Sequence, residues 1–153
     1  MGNRAVITTD HDSLNVAQSD KIGVYLHWNG GRDSVEAFLA YCKLKNYRKP
    51  EEDNYGWARL CQVIGNFFGG STSIGIDRCC RLDCKNGDNG VYIIKDWEII
   101  DRKYMNRAEQ NEYDLLEFLK EIDDAQPESE QIGMEVIKDF VEKRKSLSNQ
   151  HQE

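Results

Sequence analysis

No apolar run in this chain of 153 residues approaches the roughly 18 needed to cross a bilayer. The opening residues, Met1-Gly2-Asn3-Arg4-Ala5-Val6-Ile7-Thr8, lack the long apolar core of a secretory leader. Gly2 follows Met1, but Val6 stands where a myristoylation motif wants Ser or Thr. The expectation is a cytoplasmic protein with no membrane partner. An excess of basic charge is missing too. Lys and Arg number 20 against 27 Asp and Glu, for a formal net charge of −7. A molecule of that sign should not be drawn to nucleic acid directly. No basic stripe and no interleaving of aromatics for base stacking stands out. No internal repeat is visible.

The standard chemical motifs are also missing. The loop Asn29-Gly30-Gly31-Arg32 fits neither G-x-x-x-x-G-K-[ST] nor G-x-G-x-x-G. No serine or cysteine sits in a G-x-S-x-G context. Cys79, Cys80 and Cys84 form a C-C-x3-C cluster with no second pair, and the three histidines are distant in sequence, whereas a zinc site wants four ligands. Cys42 and Cys61 fall on apolar helical faces and read as small core residues. Thiols are expected at all five positions in a reducing compartment. No cofactor and no metal are assigned.

What is present is the composition of a folded domain. Hydrophobic residues make up 39% and charged residues 31%, enough for a core and a well-solvated surface. Short strands are expected near residues 4–8, 21–28, 71–77, 91–94 and 97–104, with a turn at Lys95-Asp96. Residues 10–20 read as a loop. A helix should follow the glycine pair, with Asp33 as its N-cap, Glu36 completing a capping box, and Val35, Phe38, Leu39 and Cys42 as its buried face. A second carries Trp57, Leu60, Cys61, Ile64 and Phe68 and ends at Gly69-Gly70. Two more occupy the last third, the later one after Pro127. The expected fold is α+β, an antiparallel sheet of about five strands with helices on one face, in the order ββααβββαα. The expected domain spans 1–145, with an acidic helical part over 109–145 and a flexible tail over 146–153.

Two regions could meet a ligand or partner. The first is His27, Trp28, Asn29, Gly30, Gly31 and Arg32, where a strand runs into a glycine pair and then a helix start. Helix N-termini present unpaired N–H groups to anions, and arginine adds a fork for phosphate. Asp33 competes for the same N–H groups. The second is the acidic helical part. Between Glu109 and Glu130 nine acids face one base, Lys120. Glu112, Asp114, Glu117, Glu121, Asp123 and Asp124 form the candidate partner-binding face. No catalytic residue is assigned, although His27 with Asp33 or Asp77 could serve as a base, and Asp77, Asp83 and Asp88 could hold magnesium.

Three stretches carry a resemblance: Gly2-Asn3-Arg4-Ala5-Val6-Ile7, then Tyr25-Leu26-His27-Trp28-Asn29-Gly30-Gly31, then Asp88-Asn89-Gly90-Val91-Tyr92-Ile93-Ile94 with Trp97-Glu98-Ile99. Together they resemble a family of small, largely uncharacterised proteins carried by bacterial phages, prophages and plasmids, over residues 1–104. The resemblance implies a mobile genetic element in a bacterial cytoplasm. In that setting the expected function is an inhibitor of a host defence system, of the anti-CRISPR type. It would bind a defence protein directly, and its acidic helices would mimic nucleic acid. A module that sequesters a nucleotide or cyclic nucleotide is the second reading, and a metal-dependent phosphodiesterase the third.

Overall fold

A computed structural model describes residues 2–9, 15–71 and 73–151. The chain runs β1 (Ala5–Thr8), β2 (Ile22–Leu26), α1 (Arg32–Leu44), α2 (Asn54–Phe67), β3 (Ile74–Arg78), β4 (Val91–Lys95), β5 (Glu98–Lys103), α3 (Leu115–Asp124) and α4 (Met134–His151). Single 3-10 turns at Val16–Gln18, Cys79–Arg81 and Glu128–Glu130 interrupt the expected run of elements. Part of the loop expected at 10–20 lies outside the described residues.

The sheet is mixed, not antiparallel. Its spatial order is β3-β2-β1-β4-β5. β1 pairs antiparallel with β2 and parallel with β4. The reason lies in β1 itself: all four of its residues are buried. A four-residue strand buried on both faces belongs at the centre of a sheet, and a parallel neighbour is the usual company of such a strand. β4, buried from Val91 to Ile94, is that neighbour.

Alternation then sorts the side chains. Ala5, Ile7, Val24, Leu26, Tyr92 and Ile94 face the four helices in the main core. Val6, Val91 and Ile93 face the other way into a smaller core closed by Val16, Cys79 and Cys84, with Tyr25, Leu82 and Tyr104 against it. All helices thus lie on one face, and the cysteine loop seals the other. Phe38, Phe67 and Phe118 join α1, α2 and α3 at ring-centroid separations of 5.2–5.7 Å.

Local differences have tertiary causes. The β4–β5 turn is Asp96-Trp97, one residue later than the sequence suggests. Both residues have φ near +60°, at 52° and 62°, the geometry of a type I′ hairpin turn. Asp suits the first position, but Trp does not favour the second. The buried Trp97 ring anchors the turn, its Nε1–H donating to the Tyr47 carbonyl at 3.0 Å, while the Asp96 amide donates to Glu51 at 2.8 Å. Pro127 precedes a 3-10 turn; α4 begins only at Met134. α4 then continues through Ser146 to His151, where a flexible tail was expected. α2 ends as expected, with Gly69 and Gly70 at positive φ beyond it, and Asp53 caps its start by accepting from the Tyr55 amide.

Candidate functional site

The glycine pair sits at the end of the sheet where β2 stops and β1 and β4 begin. Tertiary contacts use nearly all of its chemistry. The N-cap of α1 is Gly31, not Asp33. Asp33 instead lies in the first turn, and its carboxylate accepts from the backbone amides of Glu112 and Tyr113 at 2.9 and 3.0 Å. That carboxylate ties down the segment leading into α3. The carbonyl of Gly30 accepts from the buried Tyr92 hydroxyl at 2.7 Å, and its amide donates to the Asn3 carbonyl at 2.8 Å. A Cβ at Gly30 would collide with that carbonyl, and one at Gly31 with the Gln110 side chain. The glycines are there for close approach of the backbone.

The segment from Met105 to Tyr113 works as a strap over this end of the sheet. Gln110 accepts from Asn3, and Arg107 donates to Asp88 at 2.9 Å. Glu109 is paired by Arg102 and lies 3.7 Å from Arg32. Arg32 also pairs with Glu36 at 2.7 Å. The phosphate fork expected at Arg32 is therefore already met by two carboxylates, and Gln110 fills the space above the glycine pair. Among the six residues of this stretch only Trp28 is exposed, at 47%. His27 packs edge-on against it with centroids 5.0 Å apart, and its Nδ1 shares a hydrogen bond of 2.9 Å with the Tyr25 hydroxyl. Asn29 takes φ of 57° and reaches Ser34.

The orienters proposed for a His27 base are elsewhere: Asp33 holds the strap, and Asp77 accepts from the Arg78 amide on β3. Asp88 is buried between two cations. It accepts from the Arg4 amide and Nε and from Arg107. Burial pushes its carboxyl up, but the Arg4 hydrogen bonds and the Arg107 charge outweigh burial and hold it below the usual carboxylate range. Asp88 is a structural keystone, while Asp77 and Asp83 are exposed. Among the described residues no group of three His, Cys, Asp or Glu could hold a metal ion. All five cysteines are thiols. Cys79 and Cys84 are buried in the second core, with the Cys84 thiol 3.5 Å from the Cys79 carbonyl. Cys80 is exposed.

Five of the six acids expected to form one face are exposed to solvent: Glu112, Asp114, Glu117, Glu121 and Asp124. Asp123 is not one of them. It is 4% exposed and accepts from the Tyr41 hydroxyl at 2.6 Å and from the amides of Ile132 and Gly133 at 2.7 and 3.0 Å. Its position, between Ile122 and Asp124 on α3, turns it into the core, where it ties α1 to the segment entering α4. The Tyr41 hydroxyl is correspondingly harder to ionise than usual, first through burial and then through this bond. Asp114 caps α3 by accepting from the Glu117 amide at 3.2 Å. Among the described residues Glu117, Glu121 and Asp124 form no ion pair, although many carboxylates elsewhere do.

One cleft of the fold has no counterpart in the sequence reading. Asn46, Tyr47, Arg48, Tyr55 and Arg59 line a cleft of 390 Å³ at the α1–α2 connection. The signal was there in Tyr47-Arg48 and in Tyr55 and Arg59, one turn apart on α2, but the connection read only as a loop. No helix among the described residues is long and apolar enough to cross a membrane. No family model matches the chain, and no curated protein or solved structure shows significant similarity to it.

Proposed function

We propose that this chain is a non-enzymatic binding protein of a mobile genetic element. It inhibits a bacterial defence protein, of the anti-CRISPR type, by laying α3 on a basic nucleic-acid surface of that protein. The setting, a bacterial host cytoplasm, comes from the motif resemblance. The observation that carries the mechanism is the unpaired carboxylate stripe on α3. Asp114, Glu117, Glu121 and Asp124 recur every three or four residues and share one helix face. At 1.5 Å of rise per residue they place one carboxylate about every 5 Å along the axis. A single nucleic-acid strand carries a phosphate about every 3.4 Å. The helix thus offers a rigid line of negative charge of comparable density. Internal cations leave Glu117, Glu121 and Asp124 unneutralised, so their charge is available to a partner.

The test is charge reversal. Glu117→Lys, Glu121→Lys and Asp124→Lys together should abolish inhibition of the defence protein captured from host lysate, with the melting temperature nearly unchanged. Inhibition by the unaltered chain should weaken as salt rises through roughly 0.1 M, where the screening length is about 10 Å. Full inhibition by the triple variant would sink the mimicry mechanism.

The geometry does not favour the nucleotide reading at the glycine loop, where Gln110 and Glu109 occupy the positions a phosphate would need.

A further inference from the structure

We infer that the cleft at the α1–α2 connection is a binding site for a small aromatic anion, of the nucleotide class. It is separate from the glycine loop and shares no lining residue with the acidic stripe of α3.

Its lining is chemically selective. Five residues form it: two tyrosines, two arginines and an asparagine. None of the five is a carboxylate, in a protein whose net charge is −7. Each arginine has one neighbour on one Nη, Asp53 for Arg48 and Gln62 for Arg59, both at the rim, and a phosphate would use the remaining N–H groups of the two forks. The cleft volume of 390 Å³ lies within the roughly 300–1,000 Å³ common to small-ligand sites. Tyr55 is 60% exposed, so its ring is within reach of a ligand even with Arg48 over it. Arg48 lies over the Tyr55 ring with its guanidinium carbon 5.0 Å from the centroid, and Arg59 lies over Tyr47 at 5.6 Å. Lys45 approaches the Tyr47 ring as well, at 6.0 Å. A planar base is recognised by aromatic and guanidinium faces, and a phosphate by the donor fork of arginine. Both kinds of group converge in this one cleft.

The cleft is also held in shape before any ligand arrives. Asn46 turns the chain out of α1 with φ of 57°. The Tyr47 amide donates to the Cys42 carbonyl at 3.2 Å, and the Tyr47 carbonyl accepts from Trp97 at 3.0 Å. On the other wall, the first turn of α2 lies against residues 48–50 so closely that a Cβ at Gly56 would strike the Arg48 carbonyl. Arg48 is steadied by Asp53, the N-cap of α2, at 3.0 Å. Tyr55 and Arg59 are four residues apart on α2 and so point to the same side. A site whose groups are already placed loses less freedom on binding.

Titration of the full chain with adenosine monophosphate, adenosine and inorganic phosphate separates the contributions, read by calorimetry and by amide chemical shifts. The monophosphate should bind at least about tenfold more tightly than adenosine or phosphate alone, since only it engages both rings and guanidiniums. Shifts should centre on residues 46–59. Tyr55→Ala and Arg59→Ala should each weaken binding roughly 5- to 100-fold, with unchanged circular dichroism. Arg78→Ala, on β3, should leave it unaltered. Four results would overturn the assignment. They are no binding of the monophosphate at millimolar concentration, phosphate binding as tightly as the nucleotide, affinity untouched in both cleft variants, or binding of an oligonucleotide but not of the monophosphate.

Discussion

Asp123 offers the sharpest contrast between a surface role and a structural one. Replacing it with alanine removes one acceptor group and orphans three donors. The Tyr41 hydroxyl is the most serious of these, because Tyr41 has no exposed surface and Asp123 is its one acceptor among the described residues. A buried donor left without a partner costs about 1–3 kcal/mol. The amides of Ile132 and Gly133 lie nearer the surface, so water can meet part of their demand, and their share is smaller. The total is about 2–4 kcal/mol. In a domain of this size 1 kcal/mol moves the melting temperature by about 2–4 °C, so Asp123→Ala should fall roughly 4–16 °C below the parent. Asp123→Asn should be clearly milder than the alanine variant, since its Oδ1 can still accept from the Tyr41 hydroxyl and the Ile132 amide, and only the Gly133 amide would meet its N–H2.

A double-mutant cycle isolates the mechanism. In the Asp123→Ala background, Tyr41→Phe removes the orphaned hydroxyl and should recover about 1 kcal/mol, whereas in the parent it should be destabilising. Glu121→Ala, two residues away on the exposed side of α3, should stay within about 0.5 kcal/mol of the parent. Urea melts of the four variants give these numbers directly. A shift below about 2 °C for Asp123→Ala, or no coupling between positions 41 and 123, would refute the assignment of Asp123 to the core.

The glycine pair should respond unequally. Gly30→Ala forces a Cβ onto the Asn3 backbone and Ala5, which cannot yield, and should cost at least about 2 kcal/mol, a typical overpacking penalty. Gly31→Ala meets the end of the Gln110 side chain, which can swing away; thermal melts should show a smaller loss, and Gln110→Ala should relieve it. Acid sensitivity should trace to Asp88, whose carboxyl is held below its ordinary value in the fold. Its contribution is fully present above the unfolded value near about 3.9 and is lost as pH falls below that. Asp88→Asn should lower the melting temperature at pH 7 and flatten its fall between pH 5 and 3, the range over which that carboxyl takes up its proton in the unfolded chain. An equally steep acid limb in the variant would show that other carboxylates carry the effect.

How far the sequence speaks depends on the distance over which each feature is determined. The amphipathic faces of α1 and α2 and the glycine end of α2 are local, and they are plain in the residue pattern. The parallel β1–β4 pairing joins segments more than eighty residues apart, so no turn between them announces it. A trace of it exists all the same: Ala5-Val6-Ile7 and Val91-Tyr92-Ile93-Ile94 are unbroken apolar runs, which alternation would forbid in strands with one wet face. The stretch from His27 to Arg32 shows the harder limit. A glycine pair before a helix, followed by Arg and Asp, has the same letters whether it cradles a phosphate or receives a strap of the same chain. Gln110, Glu109 and the amides at 112 and 113 decide between those, and they lie some eighty residues downstream. The same reasoning separates Asp123 from Asp124. Both read as members of an acidic run, and only the rotation of α3 against Tyr41 sends one inward and leaves the other in solvent. An acidic helix is therefore best judged by which of its carboxylates the fold has already used, and on α3 Glu117, Glu121 and Asp124 are the exposed ones that take part in no ion pair among the described residues.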